Sequence, residues 1–215
     1  AGKCPGPEDI SPACHFDVAT KKPQPGKEKF PMNCVKWIYA NAYCKANGKR
    51  LPTEAEFEYV SRGDCEANGS KTGDPDCAKA MRVYAWGDAW PPPEGAGNFA
   101  DESAKKAHEA WVYINGYDDT FADAAPVGSF AANSLGLSDL AGNVWEWVGD
   151  VFSANSYTDE AVTDPIYTGL GYFRSYRGGS FQVGAAKALR ASRRGGIDPA
   201  AEDFYLGFRC AKVIP

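Results

Sequence analysis

The sequence predicts a loop-rich α+β domain with little regular secondary structure. Three observations carry this: two successive segments with helical spacing and helix punctuation between Cys34 and Arg62, a change after residue 80 to short aromatic segments divided by Gly, Asn, Asp and Pro, and 23 Gly with 15 Pro in 215 residues. Those two residue types make up about 18% of the chain, above the usual background and below the low-complexity range, with no short period. Collagen-like and linker architectures are excluded. A hydrophobic fraction of 44%, with 13% aromatic residues, suits one globular domain or at most two small ones.

Residues 1–33 are rich in Pro and Gly among polar residues, and read as an irregular, disulfide-tied part of the same domain. The run from Cys34 to Ala46 places Val35, Ile38 and Ala42, then Trp37 and Cys44, near one side of a helix, which Asn47-Gly48 stops. Next, Thr53 and Glu56 form a capping box, in which each side chain satisfies a backbone donor of the other residue, and a second helix runs to about Arg62. Residues 63–80 read as a polar surface insertion closed by a local bridge between Cys65 and Cys77. Beyond them, the segments VWEWV, YFRSYR and FRCAKV have strand character, each too short to stand alone. Neither a linker nor a repeat of 20 to 50 residues interrupts residues 34–215.

Formal net charge is −5 and the pI about 5.1, so no global cationic field draws nucleic acid or anionic lipid. No apolar stretch approaches the roughly 20 residues of a membrane-spanning helix. Seven cysteines without a CxxC pair read as disulfides of an exported protein, secreted, periplasmic or at the cell surface. The odd number leaves one thiol free or paired to a segment or chain beyond this sequence. The opening Ala1-Gly2-Lys3-Cys4, without Met or signal-peptide pattern, reads as a processed product or an excised piece.

Two acidic constellations carry chemistry. Asp139 and Glu146 flank the Gly142-Asn143 turn, and carboxylates with turn carbonyls suit Ca²⁺, which takes six to eight oxygens, better than Zn²⁺. The same residues also read as a capping Asp and an exposed strand Glu. The run from Asp118 to Asp123, some 20 residues after Asn98-Phe99, reads as a solvated loop or as calcium ligands. His15 and His108 lie far apart, and GxSxG, Walker A, HExxH and GxGxxG are all absent. Arg190, Arg193 and Arg194, with Arg174 and Arg177, could hold an anion or form internal ion pairs and a solvated face.

The ordered segments NCVKWIYANAYCKANGKRLPTEAEFEYVSRG, YAWGD, GNFAD, APVGSF, GLSDLAGNVWEWVGD, RGGSF and LGFRC, across residues 30–213, resemble the formylglycine-generating enzyme, or sulfatase-modifying factor, family. The resemblance implies its modified C-type lectin fold and two structural calcium ions. One is carried over to Asn98, the Phe99 carbonyl, Asp119 and the Phe121 carbonyl; the other to Asp139, the Gly142 and Val144 carbonyls, and Glu146. It also implies a disulfide from Cys44 to Cys210. Members that oxidise a cysteine bind copper through two thiolates just after RGGS. Here Val183 stands at the first such position and Ala186 or Ala188 near the second, with no cysteine between Cys77 and Cys210. Copper is therefore not expected, and two scattered histidines do not supply the iron site of the related sulfoxide synthases.

The expectation is a non-catalytic binding or structural module, similar to cysteine-rich bacterial relatives. Its ligand surface falls on Phe181, Gln182, Lys187, Arg190 and Arg194, and its ligand is expected to be a protein or glycan, since retroelement-diversified proteins use a related lectin-like surface for protein binding. Ordinary packing and solvated charge are the plainer reading of those five residues. Two alternatives stand: a divergent oxidoreductase or sulfatase-maturation enzyme with a non-standard site, and a subunit of an extracellular assembly. Family domains begin with a strand that nothing here matches, so a further segment or chain is expected to supply it. One bridge is expected among Cys4, Cys14 and Cys34, with one cysteine left over.

Overall fold

The computed structural model describes residues 13–17, 20, 22–63, 81–158 and 162–213. The chain divides into two compact units, one of Ala1–Phe57, Val144–Arg177 and Arg194–Pro215, the other of Glu58–Asn143 and Gly178–Arg193. The expected Cys65–Cys77 bridge, Cys4 and nearly all of the 63–80 insertion lie outside the described residues.

The first unit is built on a four-stranded sheet. Strands β3 (Trp145–Val151), β4 (Arg174–Arg177), β5 (Gly195–Ile197) and β6 (Leu206–Phe208) lie in the order β5-β4-β3-β6. β4 runs antiparallel to β3 and β5, and β6 runs parallel to β3. Central β3 is buried along nearly its whole length, its acidic Glu146 and Asp150 included, so polar and apolar positions do not sort into an outer and an inner face. Its Trp147 is fully buried and donates Nε1–H to the Val35 carbonyl at 2.7 Å, while Trp37 donates to the Val148 carbonyl at 2.7 Å. Each indole thus packs its ring while satisfying its one donor. A two-residue ladder joins β1 (Phe16–Asp17) to β2 (Lys22–Pro23) in the part expected to be irregular.

Helix α1 (Trp37–Ala46) ends at Asn47 with Gly48 at φ 64°, as the Asn-Gly pair predicts. Its orientation differs from the expected face: Ala40 and Cys44 are buried, whereas Ile38 is 59% exposed and Val35 precedes the helix. The Cys44–Cys210 disulfide fixes the inward side. At 100° per residue, Ile38 then points away from Ala40. A second disulfide joins Cys14 to Cys34, selecting one pair from the N-terminal trio. Helix α2 (Glu54–Arg62) starts at the expected capping box, with Thr53 N donating to Glu56 Oε2 at 2.8 Å and Glu56 N to Thr53 Oγ1 at 3.1 Å.

The second unit contains mostly turns around a core of Tyr84, Phe99, Ile114, Tyr117, Ala141 and Leu189. Its short helix α3 (Glu102–Ala107) is capped by Asp101, whose Oδ1 accepts the Ser103 and Ala104 amides at 2.9 Å. Six residues are too few for periodicity to reveal, but an Asp before E-S-A-K-K is an N-cap signal. Among the described residues, no helix is long and apolar enough to cross a membrane.

Candidate cation site and ligand loop

The first carried-over ligand set lies entirely in the second unit. Asn98 is fully buried; its Nδ2 donates to the Asp123 carbonyl at 2.9 Å, while its Oδ1 is buried without a hydrogen-bond partner. Asp119 Oδ2 accepts the Phe99 amide at 2.8 Å, and its Oδ1 accepts the Phe121 amide at 2.9 Å. Burial pushes the Asp119 carboxyl up to about 7, against the pull of those two amides, and the charges of Asp101 and Asp118 add to the rise. An orphaned amide oxygen and an uncompensated buried carboxylate both favour a hard cation, so these residues fit calcium. Asn98 and Asp119 would hold it with the Phe99 and Phe121 carbonyls. Among the described residues no three of His, Cys, Asp and Glu converge on a metal-sized space.

Asp101, not singled out in the sequence, organises this region. Besides capping α3, its Oδ2 accepts the Asp119 amide. Asp118 Oδ1 accepts Ser103 Oγ–H at 2.7 Å and the Thr120 amide at 3.0 Å, bonds that hold its carboxyl below the usual range.

The second set divides between the units. Asp139, at φ 57°, accepts the Gly128 amide on Oδ2 at 2.7 Å. Gly142, at φ 76°, admits no side chain, since a Cβ would stand 2.0 Å from the Asn98 carbonyl and 2.7 Å from the Phe99 ring. In the first unit, Val144 is buried, and the 5%-exposed Glu146 gives both oxygens to Arg209, with Nε at 2.5 Å and Nη2 at 2.6 Å. A guanidinium already neutralises that carboxylate, and neither an exposed Glu nor an open ligand describes it.

The loop from Gly178 to Arg193 is tied to the rest of the second unit by backbone bonds at both ends, the last of them from Ala191 N to the Val83 carbonyl at 2.9 Å. Gly142 N donates to the Gly178 carbonyl at 2.9 Å, Phe181 N to the Asn143 carbonyl at 2.8 Å, and Ala100 N to the Val183 carbonyl at 3.2 Å. Asn143, held at φ 59°, also exchanges side-chain bonds with both backbone groups of Ala125 at 3.1 Å. Val183 packs on the aromatic core, and Ala186 and Ala188 lie in a short 3₁₀ turn.

Two of the five expected ligand-facing residues are corrected. Phe181 is 2% exposed, with its ring 5.9 Å from that of Trp111. Arg194 belongs to the first unit and turns inward, its Nε 2.7 Å from Glu54 Oε1 and its Nη2 2.8 Å from Oε2. A buried carboxylate outcompetes solvent for that guanidinium. Lys187 and Arg190 are exposed and Gln182 is half-buried.

Residues 10–214 match the sulfatase-modifying factor enzyme 1-like domain family. The chain belongs to this family. It is 36% identical over 192 residues to the formylglycine-generating enzyme of Streptomyces coelicolor, covering 86% of this chain and 54% of that one. It is 32% identical over 186 residues to the inactive C-alpha-formylglycine-generating enzyme 2 of Bos taurus, covering 86% and 51%. This family member therefore spans about half the length of those relatives. Its fold is also that of Treponema denticola variable protein 1, with a TM-score of 0.58 at 22% identity over 95% of this chain and 75% of that one.

Proposed function

We propose that this domain is a non-catalytic, calcium-stabilised member of its family that works in an exported compartment as a binding module. One observation carries the non-catalytic reading. At the positions where family resemblance puts copper-binding cysteines, Val183 is packed into an aromatic core, and Ala186 and Ala188 offer only methyl groups. Soft-metal chemistry requires sulfur or imidazole ligands, and these side chains supply neither. The similarity to a Bos taurus protein named as an inactive C-alpha-formylglycine-generating enzyme 2 supports this reading. The two disulfides among the described residues support export.

Calcium is proposed at Asn98, Phe99, Asp119 and Phe121, where the unsatisfied Asn98 oxygen supports it. Bound there, the cation would supply charge and hard coordination to a buried acid; Asp101 orients the Asp119 backbone, and Asn143 holds both backbone groups of Ala125. The second set is left out of the proposal because Glu146 is paired with Arg209. The ligand surface contracts to Gln182, Lys187 and Arg190, with a protein or glycan as target. The test loads purified protein with copper and measures oxygen uptake with a cysteine-containing peptide. No uptake above buffer is expected; sustained uptake with thiol oxidation overturns the reading in favour of a divergent oxidase.

A further inference from the structure

The first unit contains a cavity of about 320 Å³ that none of the residues above lines, within the roughly 300–1,000 Å³ range of small-molecule sites. Tyr157, Val162, Pro165, Ile166 and Tyr167 form its apolar wall, and Asp150 contributes its charged part. Tyr157, Val162 and Ile166 are 50%, 64% and 48% exposed, so the apolar surface continues out to solvent. Contiguous exposed apolar surface of this kind marks contact sites more often than chance.

Asp150 is only 4% exposed. Its Oδ2 accepts the Glu54 amide at 2.7 Å and its Oδ1 the Tyr167 amide at 2.8 Å. Among the described residues, no side-chain donor hydrogen-bonds to it. An ionised carboxylate accepts about four bonds, so acceptor capacity remains. Its neighbour Glu54 differs, because Arg194 grips both of its oxygens. Burial raises the Asp150 carboxyl, backbone amides oppose the rise, and the charge of Glu54 raises it more than Arg194 lowers it. Of two adjacent buried acids, Glu54 is hydrogen-bonded by a guanidinium, whereas Asp150 takes its hydrogen bonds from backbone amides and feels Arg194 and Arg174 through their charge alone.

We propose that this cavity binds a primary alkylammonium group on an apolar stem, the side chain of a lysine presented by a partner peptide. The methylene stem lies along Val162, Pro165 and Ile166, and the ammonium group meets Asp150. Charge complementarity favours such a partner: the chain carries a net charge of −5, and no Lys or Arg occurs between Tyr157 and Phe173. A buried carboxylate gains most from a cation that arrives with its own apolar cover.

The experiment titrates ¹⁵N-labelled protein with acetyl-Ala-Lys-Ala-amide, with the norleucine peptide that lacks the charge, and with n-butylammonium as a free amine. Saturable shifts are expected at the Ser156, Ile166 and Tyr167 amides with the lysine peptide, with binding at least about tenfold weaker for the norleucine peptide. Asp150→Asn is expected to weaken lysine-peptide binding by a similar factor. If that variant does not fold, Val162→Trp, which fills the cavity from an exposed rim position, is expected to abolish binding with the rest of the spectrum unchanged. Equal binding of norleucine and lysine peptides, unchanged binding by Val162→Trp, or no shifts at these amides overturns the proposal. Binding of n-butylammonium as tight as that of the lysine peptide overturns the assignment to a peptide.

Discussion

Replacing Arg194 by Met removes one charge while keeping the side chain long, and strands Glu54 in the first unit. Glu54 is 1% exposed, and the guanidinium holds both its oxygens at 2.7 and 2.8 Å while also bonding the Ser153 carbonyl at 3.1 Å and Ser156 Oγ at 2.7 Å. Breaking a buried pair from one side costs about 3–5 kcal/mol, because the remaining charge stays desolvated. Arg177 Nη1 stands 3.7 Å from Glu54 Oε1 and is itself buried, which leaves a second cation nearby and places the expected loss at the low end, about 3 kcal/mol. For a chain of this size that loss is a fall of roughly 6–12 °C in Tm. Urea unfolding of the wild type, Arg194→Met and the double variant Arg194→Met/Glu54→Gln measures it. The double variant is expected to recover part of the loss, since it no longer buries an unpaired charge. A loss below about 1 kcal/mol for Arg194→Met, the value of a solvent-exposed pair, would refute this placement and return Arg194 to the surface role its sequence context suggests.

Three further outcomes are expected. Gly142→Ala, which sets a Cβ 2.0 Å from the Asn98 carbonyl at φ 76°, should cost about 2 kcal/mol or more in a denaturation curve; a change below about 0.5 kcal/mol contradicts the close approach. Removing the Cys44–Cys210 disulfide, which closes a sequence separation of 166 residues, should lower stability by up to about 5 kcal/mol by the chain-entropy account, read as a large fall in Tm for the double Ser variant. Asp119 has a folded value of about 7, above its unfolded value of about 3.9, so the folded state binds more protons between them. In EDTA, stability should therefore fall as pH rises from about 4 to 7. Calcium, which favours the ionised carboxylate, should oppose that fall at pH 7 and above, and thermal melts at pH 5 and 8 with calcium or EDTA distinguish the cases.

Local chemistry was the legible part of this fold. The Thr53–Glu56 box acts over three residues and forms as read, and the Asn-Gly helix stop is also set within the segment. The helix face was less legible: Ile38 fits an apolar stripe as well as Ala40 does, and the partner of Cys44, 166 residues away, decides between them. Strand β5 begins with two glycines, so no side-chain pattern announces it; its register follows from pairing with Ser175 and Tyr176. For the site, motif order carried the residues forward, but not their partners. Glu146 meets Arg209 across 63 positions and Arg194 meets Glu54 across 140, and such pairs depend on the topology of the sheet. Phe181 turns inward because Asn143 holds its amide, a contact that neither residue type announces.

The central claim is a calcium-stabilised scaffold without the family's copper chemistry. Metal analysis of protein exposed to both ions under reducing conditions and then desalted tests it most directly. The account predicts retained calcium that is lost in Asn98→Ala/Asp119→Ala, and copper at background. Stoichiometric copper with little or no calcium would contradict it.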